Sequence, residues 1–236
     1  MSGRLQDRIA LVTGASRGIG AAVAKRLARE GAHVVLVART QGGLEQVDDE
    51  IRATGGTASL VPLDLRDFDG IDRLAAVMAD RHGKLDILVG NAAILGALSP
   101  MSHYEPKTWA EVIDINLNAN WRLIRDFDAM LRLSDAGRAL FVTSNVVREV
   151  RAYWGPYAAS KAGLENMVKG WAAELANTKV RANLIDPGRV RTGMRRQAYP
   201  GEDATRHPLP DSIADRFVDL VEPSYLGNGE IVTLGD

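Results

Sequence analysis

A short apolar run, Ile9 to Thr13, opens directly into Gly14-Ala-Ser-Arg-Gly-Ile-Gly20. Beyond that loop Ile19, Val23, Ala24 and Leu27 recur at helical spacing as far as Gly31, and His33 to Val37 is a second run of β-formers. Strand, glycine loop, helix and strand in such quick succession read as a βαβ unit, which implies parallel pairing and a right-handed crossover. A parallel sheet needs cover on both faces, so the rest of the chain has to supply helices between further strands.

It does so. An amphipathic helix is expected over Gln41 to Ala53, a strand over Ala58 to Leu63, and a helix over Phe68 to Arg81 with Ile71, Leu74, Val77 and Met78 on one face. Leu85 to Val89 reads as a fourth strand. A long helical region, Trp109 to Leu133, precedes the strand Ala139 to Val142; a helix over Tyr157 to Asn177 leads to the strand Val180 to Ile185. Ile213 to Leu220 and Glu230 to Leu234 read as a last helix and strand. Alternation of this kind predicts the α/β class: one Rossmann-type, doubly wound parallel sheet with helices on both faces, forming a single domain over residues 1–236. No linker or short repeat divides it.

Composition narrows the function. A formal net charge of −1 offers no basic footprint, so neither nucleic acid nor a membrane surface is expected as a partner. The absence of cysteine excludes disulfides and thiolate catalysis. His33, His82, His103 and His207 are scattered without metal-ligand spacing, so no metal site is expected. The N-terminus runs straight into a strand without a signal-like apolar stretch, and no membrane-length apolar segment follows; the expected setting is cytoplasmic.

In an open parallel sheet, ligands bind beyond the carboxyl ends of the strands. The loop from Gly14 to Gly20 lies at such an end, where glycines admit a pyrophosphate and the next helix offers free N–H groups and a positive dipole end. A plain glycine-rich turn has the same look. The second strand ends Val37-Ala38-Arg39-Thr40 with no carboxylate to bind a ribose 2′-hydroxyl, whereas Arg39, with Arg17, suits a 2′-phosphate. NADP(H) is therefore expected rather than NAD(H), although two solvated arginines would leave the same trace.

At the far side of the chain, the strand Ala139 to Val142 delivers Ser144, and Tyr157 and Lys161 stand one helical turn apart. An ammonium near a phenol favours the phenolate and brings it toward proton exchange at neutral pH. The same spacing also occurs between ordinary surface neighbours.

Taken together, Thr13-Gly-Ala-Ser-Arg-Gly-Ile-Gly20, Asp64-Leu65, Asn91-Ala-Ala93, Ile-Asn116-Leu-Asn, Ser144, Tyr157-x-x-x-Lys161 and Pro187-Gly-Arg-Val-Arg-Thr192 resemble the classical short-chain dehydrogenases/reductases in order and spacing, from Arg8 to Leu234. The resemblance implies that Tyr157 is the acid/base, Lys161 its partner on the nicotinamide ribose, Ser144 a donor to the substrate oxygen, and Asn116 the anchor of a water in a proton relay from Lys161. It implies a cofactor held by Gly14, Ser16, Arg17, Gly18, Ile19 and Gly20, with Arg39 and Thr40 at the second strand. Asp64 and Leu65 would meet the adenine, Asn91, Ala92 and Ala93 the adenosine ribose, and Pro187, Gly188, Val190 and Thr192 the carboxamide, beside Tyr157 and Lys161. Two departures carry expectations. Ile94 stands where glycine is commoner and predicts a narrower adenosine side; Asn145 predicts a more polar substrate floor.

The function so implied is hydride transfer between NADP(H) and the carbonyl or secondary alcohol of a small organic substrate. A silent nucleotide-binding regulator, or an epimerase or dehydratase on the same fold, are the alternatives. The substrate is expected between Val146 to Trp154 and an irregular lid over 193–210, walled by Leu95, Tyr153, Trp154 and Met194. Arg148, Arg151, Arg191, Arg195 and Arg196 could instead greet an anion. Trp121 and Trp171 lie on helices that commonly pair between subunits in such proteins, so a homodimer or homotetramer is expected.

Overall fold

The structure is a computed structural model and describes residues 3–235; residues 1, 2 and 236 of the expected domain lie outside the described residues. Seven parallel strands form one sheet in the order β3-β2-β1-β4-β5-β6-β7. They are β1 (Ile9–Thr13), β2 (His33–Ala38), β3 (Thr57–Pro62), β4 (Ile87–Gly90), β5 (Arg138–Val142), β6 (Arg181–Asp186) and β7 (Ile231–Thr233). The helices are α1 (Gly18–Arg29), α2 (Gln41–Arg52), α3 (Phe68–His82), α4 (Pro106–Ile113), α5 (Ala119–Arg132), α6 (Gly155–Glu174), α7 (Gly193–Ala198) and α8 (Pro210–Val221).

Period two along the strands sends alternate residues to opposite cores. On β1 and β2, Ala10, Val12, Val34 and Leu36 join the side chains of α1, α2 and α8 on one face. Leu11, Val35 and Val37 join α3, α5 and α6 on the other. The near-continuous apolar runs in the sequence thus belong to strands buried on both faces. Strand order reverses between β1 and β4, whose register pairs Val12 with Val89. Both strands release their loops into one crevice there, as this topology requires.

Two segments differ from the sequence reading. The helical region before β5 is interrupted: residues Asp114–Asn118 form a π-turn between α4 and α5. Such an insertion re-aims one side chain inside an otherwise regular helix, and the residue it carries inward is Asn116. The expected irregular lid contains α7, because the hydroxyl of Thr192 accepts the Arg195 N–H at 3.1 Å and starts a helix that the glycine and proline content disguised. Among the described residues no helix is long and apolar enough to cross a membrane.

Candidate active site

A cavity of about 990 Å³ runs along the carboxyl ends of the strands, from the glycine loop to α7. At one end, Gly14 and Gly18 have φ of +66° and +60°, which only glycine adopts without strain. Gly20 is needed for closeness instead: a Cβ there would stand 2.3 Å from the Gly14 carbonyl oxygen and 2.5 Å from Nδ2 of Asn91. The loop is held from beneath. Thr13 Oγ1 accepts the N–H groups of Asn91 and Ala92, both at 3.0 Å, while Asn91 Nδ2 donates to the Thr13 carbonyl at 2.9 Å. These bonds join the ends of β1 and β4 into one floor, with Ser16, Ile19, Ala92 and Ala93 along its walls.

Arg17, Arg39 and Thr40 line the same end and are exposed. Among the described residues neither arginine is in an ion pair, so both guanidinia are available to an anion. Asp64 and Leu65 also line the cavity; the Asp64 carboxylate is engaged by Arg66, 2.6 Å from its Nη2, which holds it below the usual carboxylate range. The Ile94 side chain borders the cavity, but its backbone does more: its N–H donates to Asn116 Oδ1 and its carbonyl accepts from Asn116 Nδ2, each at 2.9 Å. Asn116 is fully buried and is further tied to Ser160. At the last strand end, Pro187, Gly188, Val190 and Thr192 line the cavity, with Gly188 at φ +67°.

Ser144, Tyr157 and Lys161 meet at the middle of the cavity. Proline at the start of α6 fixes the first turn of the helix, and the helical period turns Tyr157 and Lys161 inward together; they are 7% and 2% exposed. Burial pushes the Tyr157 phenol up to about 12; the neighbouring Ser144 hydroxyl pulls it back and the charge of Asp186 pushes it further up. Burial likewise pushes Lys161 down to about 8. Its Nζ donates to the Val142 carbonyl at 2.7 Å and lies 5.9 Å from the Tyr157 ring centre. In the protein as folded here, desolvation disfavours charge on either group, opposite in direction to what the spacing implied for the phenol.

The substrate side is apolar. Leu95, Val146 and Tyr157 form a small buried cluster with Trp154, Met194 and Ala198 packed on it. Trp154 meets Tyr157 edge-on at 5.8 Å and lies 5.9 Å from the ring of Tyr199. Tyr153 is outside the lining: its φ is +73°, its carbonyl accepts the Tyr104 hydroxyl at 2.6 Å, and the residue is 58% exposed. Of the five arginines that could meet an anion or simply face solvent, Arg148, Arg191 and Arg196 lie outside the cavity lining. Arg151 and Arg195 line it but are spent on Glu149 and Glu202. Asn145 does line the floor.

The chain matches the family model for short chain dehydrogenases over residues 8–203. It belongs to the short-chain dehydrogenase family. The uncharacterized oxidoreductase YciK of Escherichia coli K12 is 40% identical over 92% of this chain and 87% of its own length. A short-chain dehydrogenase of Shigella flexneri 2a solved with NADP superposes with a TM-score of 0.94 at 38% identity, covering 99% of both chains. One from Escherichia coli CFT073 solved with NADPH superposes with a TM-score of 0.93 at 37% identity, covering 99% of this chain and 98% of that one.

Some contacts that build this site escaped the sequence reading. Thr13 opens the glycine motif, but nothing in the sequence showed that its hydroxyl joins two strand ends. Tyr199 left no periodic signal in a segment rich in glycine and proline. Asp186, Glu165 and Arg148 form a charged cluster that only the register of β5, β6 and α6 brings together.

The buried Lys161 makes a prediction about stability. Its folded-state pKa is depressed, so wild type carries the cost of a buried ammonium below pH 8, of up to about 3 kcal/mol from the 2.5-unit gap between about 8 and 10.5. Lys161→Met removes that cost and keeps the bulk. Its thermal midpoint at pH 7 should be no lower than that of wild type, although turnover is lost. The advantage should shrink between pH 8 and 10.5, where the unfolded chain holds the lysine proton and the folded one does not. A drop of several degrees at pH 7 would count against this reading of Lys161.

Proposed function

We propose that this oxidoreductase transfers hydride between NADP(H) and the carbonyl or secondary alcohol of a small substrate with an uncharged, ring-bearing body. The observation that carries the reading is the placing of Ser144, Tyr157 and Lys161 on the wall of the same cavity that also runs over the glycine loop and Arg39. The cradle fits a dinucleotide: glycine is enforced at Gly14, Gly18 and Gly20, and α1 starts at Gly18 with its N–H groups facing the loop. Arg17 and Arg39 suit the 2′-phosphate. The neighbours solved with NADP and NADPH support the same choice.

The bound nicotinamide supplies the hydride donor or acceptor. The chain's own part is to hold the substrate carbon in place and to manage the charge on its oxygen. In reduction, the Ser144 hydroxyl donates to that oxygen, and Tyr157 donates a hydrogen bond that becomes proton transfer as the negative charge grows. Lys161 then stabilises the phenolate left behind. Asn116 fixes the backbone at Ile94 and is the proposed anchor of the water that returns the proton through Lys161. Trp154, Tyr199, Leu95 and Met194 exclude water from the reacting atoms, and α7 with the segment to residue 210 serves as the lid.

With Arg151 and Arg195 already paired to carboxylates, the walls beside Tyr157 are rings and aliphatic side chains, and beyond Arg17 and Arg39 the exposed Arg189 is the lining guanidinium outside any ion pair among the described residues. Matched pairs of aryl ketones and keto acids, followed by NADPH absorbance, test this. Aryl ketones should show the higher kcat/KM, and Trp154→Ala should lower it by about tenfold or more through lost ring contact; a uniform preference for the acids would refute the substrate reading. A homodimer or homotetramer is part of the proposal. Trp121, 47% exposed on α5 and stacked with Arg122, is available to a second copy.

A further inference from the structure

Beside the Tyr157–Lys161 pair lies a charge cluster with no part in hydride transfer as described above. Asp186 ends β6 and is 2% exposed; Glu165, one helical turn beyond Lys161, is 7% exposed. One Asp186 oxygen accepts the Gly188 N–H at 3.1 Å, and the other is paired with the Arg148 guanidinium. Glu165 accepts the Thr143 hydroxyl at 2.7 Å and lies 3.8 Å from Arg148 Nη1. Burying carboxylates is expensive unless they are paired, yet here one guanidinium, itself 42% exposed at the side chain, serves two of them. Two carboxylates and one guanidinium leave a surplus of one negative charge.

What faces that surplus is Lys161. On its own helix Tyr157 and Glu165 lie one turn to either side; its Nζ is bound at Val142, whose register partner on β6 is Ile185, the residue before Asp186, and Arg148 reaches both carboxylates from the turn after β5. Its Nζ hydrogen bond goes to a neutral partner, the Val142 carbonyl. We infer that Arg148, Asp186 and Glu165 are positioning residues whose surplus negative charge keeps the buried Lys161 in its ammonium form.

The opposing influences on Lys161 agree with this geometry: burial strips its proton, and Asp186 first, then Glu165, hold it. Asp186 also resists ionisation of Tyr157, so the cluster works between two limits. With too little negative charge, Lys161 goes neutral and the phenolate loses its counter-ion. With too much, the phenolate itself is opposed. Arg148 trims the balance.

The inference rests on reading Tyr157 and Lys161 as the catalytic pair, but the proton on Lys161 can be followed in the resting protein, so the two can fail separately. The chain has six lysines. Labelling their Cε carbons with ¹³C, and identifying Lys161 by its loss in Lys161→Met, gives its titration by NMR. In Asp186→Asn, which keeps the acceptor for Gly188, the midpoint should fall by at least about one unit, a tenfold loss in proton affinity. Glu165→Gln should lower it by less, and Arg148→Met should raise it. The alkaline limb of kcat should move down with the midpoint in Asp186→Asn, while the KM for NADPH stays as in wild type. A Lys161 midpoint unchanged in Asp186→Asn, or one that Arg148→Met lowers as well, would overturn the inference and leave the cluster a scaffold. Normal titration shifts without any turnover would instead refute the reading of the pair.

Discussion

Tyr157→Phe is expected to lower kcat by about 10²- to 10⁴-fold, the usual yield of a positioned proton donor, while NADPH binding changes little. The change removes one oxygen from a ring that otherwise stays packed against Trp154 at 5.8 Å. Losing that one hydroxyl should cost about 1 kcal/mol or less, too little to unfold the protein. What disappears is the proton that must reach the substrate oxygen as hydride reaches its carbon. Ser144 remains to donate a hydrogen bond, and its residual contribution is why the loss stops short of the uncatalysed rate. Stopped-flow turnover together with NADPH titration separates the two effects. Near-normal turnover would remove Tyr157 from the chemistry.

The second large effect is expected at the other end of the cavity. Arg39→Ala should weaken NADPH binding by about ten- to hundredfold, from the roughly 1.5–3 kcal/mol of a charge-assisted hydrogen bond, and leave NADH binding as it was. Arg39 is exposed and outside any ion pair among the described residues, so no other partner is stranded by its removal. Arg17→Ala should act in the same direction, and the double variant should bind the two cofactors nearly alike. Because the arginines are exposed, the preference for NADPH should also fall as salt is raised. Calorimetric titration at fixed ionic strength measures all of this. An equal loss for NADH would mean that Arg39 shapes the loop rather than reads the phosphate.

How far the sequence led depends on whether a feature was local. The βαβ opening, the strand alternation and the glycine loop are short-range patterns, and their strands appear within a few residues of where periodicity placed them. Tyr157 and Lys161 needed only one helical turn to be seen as a pair. The π-turn at Asp114–Asn118 was invisible because its residues keep a helical period on both sides. The phenol's shift ran opposite to expectation because spacing shows that Lys161 is near, but not that both groups are buried. Two of the arginines open to an anion could not be seen to be paired, because their carboxylates are brought in by folding. Arg148 meets Asp186 from another strand end, and Arg195 meets Glu202 only once α7 has formed.

The central claim is that this dehydrogenase moves hydride itself, rather than sensing a nucleotide or rearranging a substrate. NADPH carrying deuterium at both C4 positions, incubated with the best carbonyl substrate, tests it in one mass spectrum. One deuterium in each molecule of alcohol, on the former carbonyl carbon, is the predicted result. Alcohol formed without that label, or a converted substrate with the NADPH unspent, would contradict it.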